Sequence, residues 1–325
     1  MSEAPSTLTI VPTPQLACTA AVALPRRRGI ARQGVVGYLF LSPYLLVTAV
    51  FFLLPLGWAA VLAFFQTSGP SSRAFVGLGN FKFILSDADF YTALRNTGVF
   101  ALASVLIQLP LSLGLAMLLN AKDSRAKNLF RLIIFLPNLV GQVFVGVLFS
   151  ILFTPTYGLF NRFLHTLSGW GLEQRWLDDP TLVMPAVIIA SLWLYVGFNM
   201  VYFLAALQNV DQSLIEAARI DGAGPIRTFW TVTVPAIVPV ATFVVVTSTI
   251  GSFQLFELPY TLLQAHGDGY GPRNSGLTIV GYLYQYAFRG GDLGTGAAVG
   301  WVLTLIILVI SLVQIRAAKL FGSET

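Results

Sequence analysis

Apolar residues in this chain fall in long unbroken runs, with the polar residues collected between them. Six runs reach the ~20 residues that an α-helix needs to cross a ~30 Å hydrocarbon layer. They are Val35–Phe65, Thr92–Leu119, Leu129–Phe153, Leu182–Leu207, Ala236–Leu258 and Gly296–Ile315. The first is longer than one crossing requires. Pro43 and Pro55 are expected to kink or trim it, because proline lacks the N–H that a helix interior uses. Thr156–Leu167 and Leu277–Phe288 are too short to span and carry Tyr and Phe, which suit the membrane–water boundary. They are expected to be outer-face interfacial helices. The pattern therefore predicts an all-α fold, a polytopic membrane helical bundle of about six transmembrane helices.

Composition agrees with this reading. Of 325 residues, 56% are hydrophobic and 10% charged, where a soluble domain carries roughly 25% charged residues. Inside the six runs the charged side chains are Arg95 and Arg131 near span starts and Glu257 near a span end. An even number of spans puts both termini on one side. Placing them in the cytoplasm gives that side Arg26, Arg27, Arg28, Arg32, Lys122, Arg125, Lys127, Arg131, Arg219, Arg227, Arg316 and Lys319. The outer side keeps Arg73, Lys82, Arg95, Arg162, Arg175, Arg273 and Arg289, the smaller share, so the positive-inside rule selects N-in, C-in.

Residues 1–33 are rich in Ser, Thr, Pro and Ala and end in the first Arg cluster, which reads as a disordered cytoplasmic tail. A spanning-length run follows that cluster, where a secretory signal would have a short apolar core, so the segment is expected to be retained as an anchor. One transmembrane domain over 34–318 and a short tail over 319–325 complete the organisation. The net charge of +5 is spread over loops without an isolated basic patch, which argues against nucleic acid. Cys18 is the only cysteine. Neither His165 nor His266 has ligand neighbours at metal spacing, so no metal site is expected.

The loop 208–234 differs from the others. Asp211 and Ser213 are able to cap a short helix through Glu216, Ala217 and Ala218, and Gly222, Gly224 and Pro225 break it. A second short helix from Ile226 then leads into the next span. Phe229 and Trp230 lie beside the turn, where burial against a partner suits them better than water. Glu216-Ala217-Ala218, Gly222 after three residues, and Val232-Thr233-Val234-Pro235 after nine more together resemble the EAA loop of ABC importer permeases. Gly77–Phe81, Asp87 with Phe90, Asn96 and Thr97, Ile220-Asp221-Gly222-Ala223, and Phe256 with Tyr260 resemble the family's sugar branch, of maltose and glycerol-phosphate type. The outer stretch Gln264–Pro272 departs from that branch, which often has a threonine, several glycines and a proline there.

The resemblance implies a permease subunit in a bacterial or archaeal plasma membrane. It translocates a sugar or oligosaccharide delivered by an extracytoplasmic binding protein. It also implies a second permease, likewise expected to be a different chain, and two ABC ATPase subunits. No glycine immediately precedes Lys82, Lys122, Lys127 or Lys319, so the chain has no phosphate loop. It is expected not to be an enzyme and to hold no cofactor itself, ATP and Mg being bound by the partner ATPase. Glu216, Ala217, Ala218, Asp221, Gly222, Gly224 and Pro235 are the implied coupling set. For Glu216 the bland reading is a solvated carboxylate favoured by the helix dipole.

Depth counting at ~1.5 Å per residue puts Gln108, Gln142 and Tyr195 near the midplane and Asn199 toward the cytoplasm. Gln254 and Glu257 fall near the outer end of span five. These six are candidate path residues because amides and phenols exchange hydrogen bonds with hydroxyls. Helix–helix hydrogen bonding explains each of them, taken singly, at least as well. For Glu257, snorkelling toward the headgroups is the stronger alternative. An ion-coupled secondary transporter of a small polar solute is the alternative class; it would bury ionisable groups at the midplane, and none is evident.

Overall fold

The computed structural model describes residues 30–69, 72–121, 127–155, 157–169, 174–264, 267 and 269–322. The tail up to residue 29, Cys18, Lys122, Arg125 and His266 lie outside the described residues. Two compact units are distinguished, 1–55 and 56–325. In the first, α1 (Ile30–Thr48) passes through Pro43 and widens into a π turn at Ala49–Leu53. α2 (Leu54–Leu62) follows, so the helix continues through Pro55 as well.

Three of the four π turns among the described residues share a cause. They occupy Ala49–Leu53, Ser104–Gln108 and Phe229–Thr233, and each ends two residues before a proline, Pro55, Pro110 and Pro235, whereas the fourth, Gln285–Arg289, is followed by Gly290. A proline ring clashes with the carbonyl four residues back and offers it no N–H. At each site the residue before the proline donates five residues back instead: Leu54 to Ala49, Leu109 to Ser104 and Val234 to Phe229. The widened turn makes room for the ring, and the helix survives.

In the larger unit, α4 (Ala88–Ala103), a π turn and α5 (Leu109–Ala121) form a continuous apolar helix over Ala88–Asn120. α9 (Val183–Gln208) is another, and α11 (Pro225–Thr228) runs through its π turn into α12 (Val234–Phe253). α15 (Leu293–Gly322) ends the described chain. Among the described residues, five helices are long and apolar enough to cross a membrane, and a bent pair makes a sixth if it is counted as one span.

Two expected spans need correction. Leu129–Phe153 is not one straight helix: α6 (Lys127–Val140) and α7 (Gln142–Leu152) meet at 98°. The break is Gly141, whose φ of +87° and ψ of 154° belong to a region that only glycine enters cheaply. The fifth span stops at Phe253 rather than Leu258. Pro259 has no N–H to offer the Leu255 carbonyl, which instead accepts the Thr278 hydroxyl at 2.7 Å. A separate short helix, α13 (Glu257–Leu263), starts there.

One end of the larger unit is sealed by elements shorter than a span. Strands β1 (Phe65–Thr67) and β2 (Arg73–Phe75) form a hairpin, followed by α3 (Gly79–Ser86). Asp292 ties the hairpin to α15, accepting from the Thr67 amide and hydroxyl and from the amides of Gly294 and Thr295. Burial raises the Asp292 pKa, but these bonds outweigh it and hold the carboxyl below its ordinary range. The Asn80 amide donates to the Ala63 and Phe65 carbonyls, both at 2.9 Å.

The two segments expected at the interface differ from each other. α8 (Leu159–Ser168) exposes Leu159, Phe163 and Leu167. By contrast α14 (Ile279–Tyr284) is buried, with Ile279 and Tyr282 fully enclosed against α4 and α15. Its backbone and side chains are claimed by span two: Thr97 accepts the Ile279 amide, and Asn96 donates to the Leu277 carbonyl. Those bonds hold the segment against span two, inside the bundle.

At the other end, Leu119, Leu207, Val210 and Ile237 form a cluster on which Ile215 and Val232 pack. Ile215 belongs to α10 (Gln212–Ile220). The loop 208–234 is therefore anchored on spans two, four and five.

Candidate functional site

Three helices carry polar pairs spaced four residues apart on otherwise apolar sequence: Ser104 and Gln108, Tyr195 and Asn199, Ser248 and Ser252. Residues four apart share a helix face. All six line one cavity of about 260 Å³, joined by Gln142 from the broken span and Gln254 at the end of α12. The cavity thus gathers Gln108, Gln142, Tyr195, Asn199 and Gln254. Glu257 does not line it; it is exposed at the first position of α13. Sequence reasoning missed Ser104, Ser248 and Ser252, although the four-residue spacing was readable.

Packing elsewhere explains why these groups meet. The Ser104 and Ser248 hydroxyls hydrogen-bond at 2.8 Å, pinning span two to span five. A Cβ at Gly197 would overlap the Ile134 carbonyl, so this glycine lets α9 press against α6 and brings Tyr195 and Asn199 near the break at Gly141. The same break starts α7 at Gln142. Gln108 is 3% and Asn199 7% exposed. Among the described residues, no side-chain hydrogen bond engages Gln108, Gln142, Tyr195, Asn199 or Gln254. Their amide and phenol groups are left to the cavity, where water or a ligand can satisfy them. The cavity can therefore hold a hydrogen-bonding solute.

The loop at the opposite pole is built as its sequence requires. Asp211 caps α10, accepting the Ser213 amide at 2.9 Å; the Ser213 side chain and amide hold the carboxyl below its ordinary range. The helix ends in a Schellman turn: Ala223 N–H donates to the Ala218 carbonyl and Gly222 N–H to the Arg219 carbonyl. Asp221 is the C-cap, and Gly222 takes the required positive φ of +77°. Gly224 then caps α11, with Pro225 at its first turn. Glu216, Ala217 and Asp221 are exposed and Ala218 is half-buried. Pro235 sits past the π turn at the foot of α12. Ile220, Ile226 and Trp230 are 86%, 75% and 64% exposed. Three large apolar side chains on a turn at the pole, beside arginines, make a patch suited to another protein.

A helical bundle that crosses the membrane repeatedly, encloses a polar cavity and exposes an apolar-studded loop at one pole is the build of a transport permease. The chain belongs to the family described as the binding-protein-dependent transport system inner membrane component, whose model matches residues 108–324. It is a multi-pass membrane protein, the permease subunit of an ABC importer. It is 38% identical over 288 residues to the arabinooligosaccharides transport system permease protein of Bacillus subtilis (strain 168), covering 88% of this chain and 90% of that one. It is 37% identical to the lactose transport system permease protein of Rhizobium radiobacter over 87% of this chain and 94% of that one. The fold matches a chain of the bacterial alginate ABC transporter, solved in complex with an alginate pentasaccharide-bound periplasmic protein. The TM-score is 0.77 at 23% identity, covering 89% of this chain and 96% of that chain.

Proposed function

We propose that the chain carries a sugar or oligosaccharide, received from an extracytoplasmic binding protein, through a path that Gln108, Gln142, Tyr195, Asn199 and Gln254 line. The observation that carries this reading is the cavity itself: neutral hydrogen-bonding groups from three spans and a broken helix, of which the five named residues make no side-chain hydrogen bond among the described residues. Amides and hydroxyls match sugar hydroxyls as both donors and acceptors. Relatives named for arabinooligosaccharide and lactose transport support the same cargo class. A second permease, a different chain, completes the path.

The energy comes from two separate ATPase subunits that hold ATP and Mg. Glu216, Ala217, Ala218, Asp221, Gly222 and Gly224 form the face on which one of them docks, and Pro235 sets the foot of span five beside it. Ile215 and Val232 link that face to the cluster under the cavity. Asn199 and Leu207 lie on one helix, about 12 Å apart by helical rise. A tilt of the loop is passed on as a shift of spans four and five against span two. The termini, 1–33 and 319–325, flank the transmembrane domain 34–318 as cytoplasmic tails.

The test is uptake of radiolabelled lactose and arabinotriose by proteoliposomes holding the four-subunit complex, with and without ATP and binding protein. Uptake that needs both, and that falls at least about tenfold in the double variant Gln142→Leu, Asn199→Leu, supports the reading. Full uptake in that variant removes these residues from the path.

A further inference from the structure

We infer that the cavity admits uncharged, polyhydroxylated sugars and rejects those bearing a carboxylate or phosphate. This rests on the reading of the cavity as the sugar path and adds a charge rule to it. Among the described residues, no Asp, Glu, Lys, Arg or His lines the cavity. An anion brought among these helices would give up its hydration with no counter-charge from this chain, a cost of several kcal/mol.

Two of the hydroxyl groups that line the cavity point the same way. Thr247 donates to the Phe243 carbonyl at 2.8 Å, and Ser252 to the Ser248 carbonyl at 2.8 Å. Their hydrogens are committed to the helix, so what they turn to the cavity is lone pairs. Sugar hydroxyls can donate to lone pairs; carboxylate and phosphate oxygens are repelled by them.

Helix ends do not supply a hidden positive charge. Gln142 opens α7, where the helix dipole contributes about +0.5 charge, and Gln254 closes α12, where it contributes about −0.5. Both residues line the same cavity, so the two ends offset each other. Glu257, three residues beyond Gln254 at the first position of α13, brings no positive charge to that end of the path. The rings of Phe100, Tyr195 and Phe198 supply apolar surface that fits the C–H face of a pyranose, and their negative faces offer nothing to an anion.

The experiment uses the assembled complex without binding protein, so that selection by that protein does not enter. A single reporter thiol is made by Cys18→Ser with Thr247→Cys, and a second, independent one by Cys18→Ser with Gln254→Cys. Maleimide labelling of each is timed with lactose, arabinotriose, galacturonic acid trisaccharide or glucose 6-phosphate. Slowing by the neutral sugars at least about tenfold more than by the charged ones is the expected result. Equal slowing by both classes overturns the charge rule and leaves the sugar path standing. Slowing by none of them overturns the sugar-path reading and the charge rule with it.

Discussion

Tyr282 donates its phenolic hydrogen to Asp87 across 2.6 Å, joining the foot of span two to the buried helix α14. Tyr286 donates to the same oxygen at 3.0 Å, and the Asp89 amide donates to the other at 3.0 Å. Burial raises the Asp87 pKa, but these three bonds outweigh it and hold the carboxyl below 3.8. Burial first, then the bonds to Asp87, push both tyrosines up, so they remain protonated donors. A carboxyl depressed in the folded state adds stability above its unfolded value and surrenders it as pH falls through the folded one. The clamp is therefore intact at neutral pH and lost in acid, below the unfolded value of 3.8. Asp87→Ala should cost about 1–2 kcal/mol near neutrality, discounted for partial exposure. Thermal melting of the detergent-purified protein from about pH 5 to about pH 3 checks it. The gap between wild type and variant should close as pH falls; a gap independent of pH would show that the carboxylate charge is not what holds the clamp.

Pro110 shapes the cavity without touching it. Its ring forces the π turn at Ser104–Gln108, and that turn sets the angle at which Ser104 meets Ser248 and Gln108 faces the cavity. Pro110→Ala restores the missing N–H and lets the turn relax to an α-helix. Folding stability should hold or rise, since alanine is the better helix former by up to ~3 kcal/mol. Uptake should fall, because relaxing one π turn rotates the upstream helix by roughly 100° relative to the downstream one. Unchanged uptake together with raised stability would show that the bulge has no part in positioning these groups.

Gly141 can be tested for backbone geometry alone. A Cβ there meets nothing within 4 Å, so no clash follows substitution. The φ of +87° with ψ of 154° nevertheless costs a non-glycine residue about 1–3 kcal/mol. Gly141→Ala should lower thermal stability by that amount or straighten the span, and in either case move Gln142 out of place. Paired melting and uptake measurements separate this from a neutral substitution, which would leave both unchanged.

Much of the architecture was legible because lipid permits so few solutions. A run such as Val183–Gln208 must be a helix, since its backbone has no other partner in hydrocarbon. The loop 208–234 was legible for a different reason, its turn chemistry being local: Asp211 caps, and Gly222 supplies the positive φ. The break at Gly141 was not, because one glycine barely changes the hydropathy of its window. Nor was the end of span five, which depends on Thr278, 23 positions from the Leu255 carbonyl it serves. α14 carried the aromatic residues of an interfacial helix and is buried instead, through hydrogen bonds from Asn96 and to Thr97 that no local pattern encodes. Of the cavity, the amides were found by depth, whereas the serines required the four-residue spacing to be read across three spans together.

Glu216 and Gly222 make the coupling proposal testable from two sides. Glu216 is exposed on α10, and a Cβ at Gly222 meets nothing within 4 Å, so neither side chain is needed inside this chain. Glu216→Ala should leave expression and assembly largely intact while abolishing uptake, since one buried charge of the docked pair would then face no partner, at about 3–5 kcal/mol. Gly222→Asp retains the left-handed conformation at ~1–2 kcal/mol but projects a charged side chain toward the docking partner. Tagged wild-type chain should therefore co-purify with an ATPase and a second permease, whereas Gly222→Asp should keep the permease and lose the ATPase. Gly222→Asn, which tolerates the same backbone without the charge, should fall between them. If Gly222→Asp retained the ATPase and Glu216→Ala transported normally, the loop would not be the docking face, and the exposed Ile220 and Trp230 would need another partner to explain them.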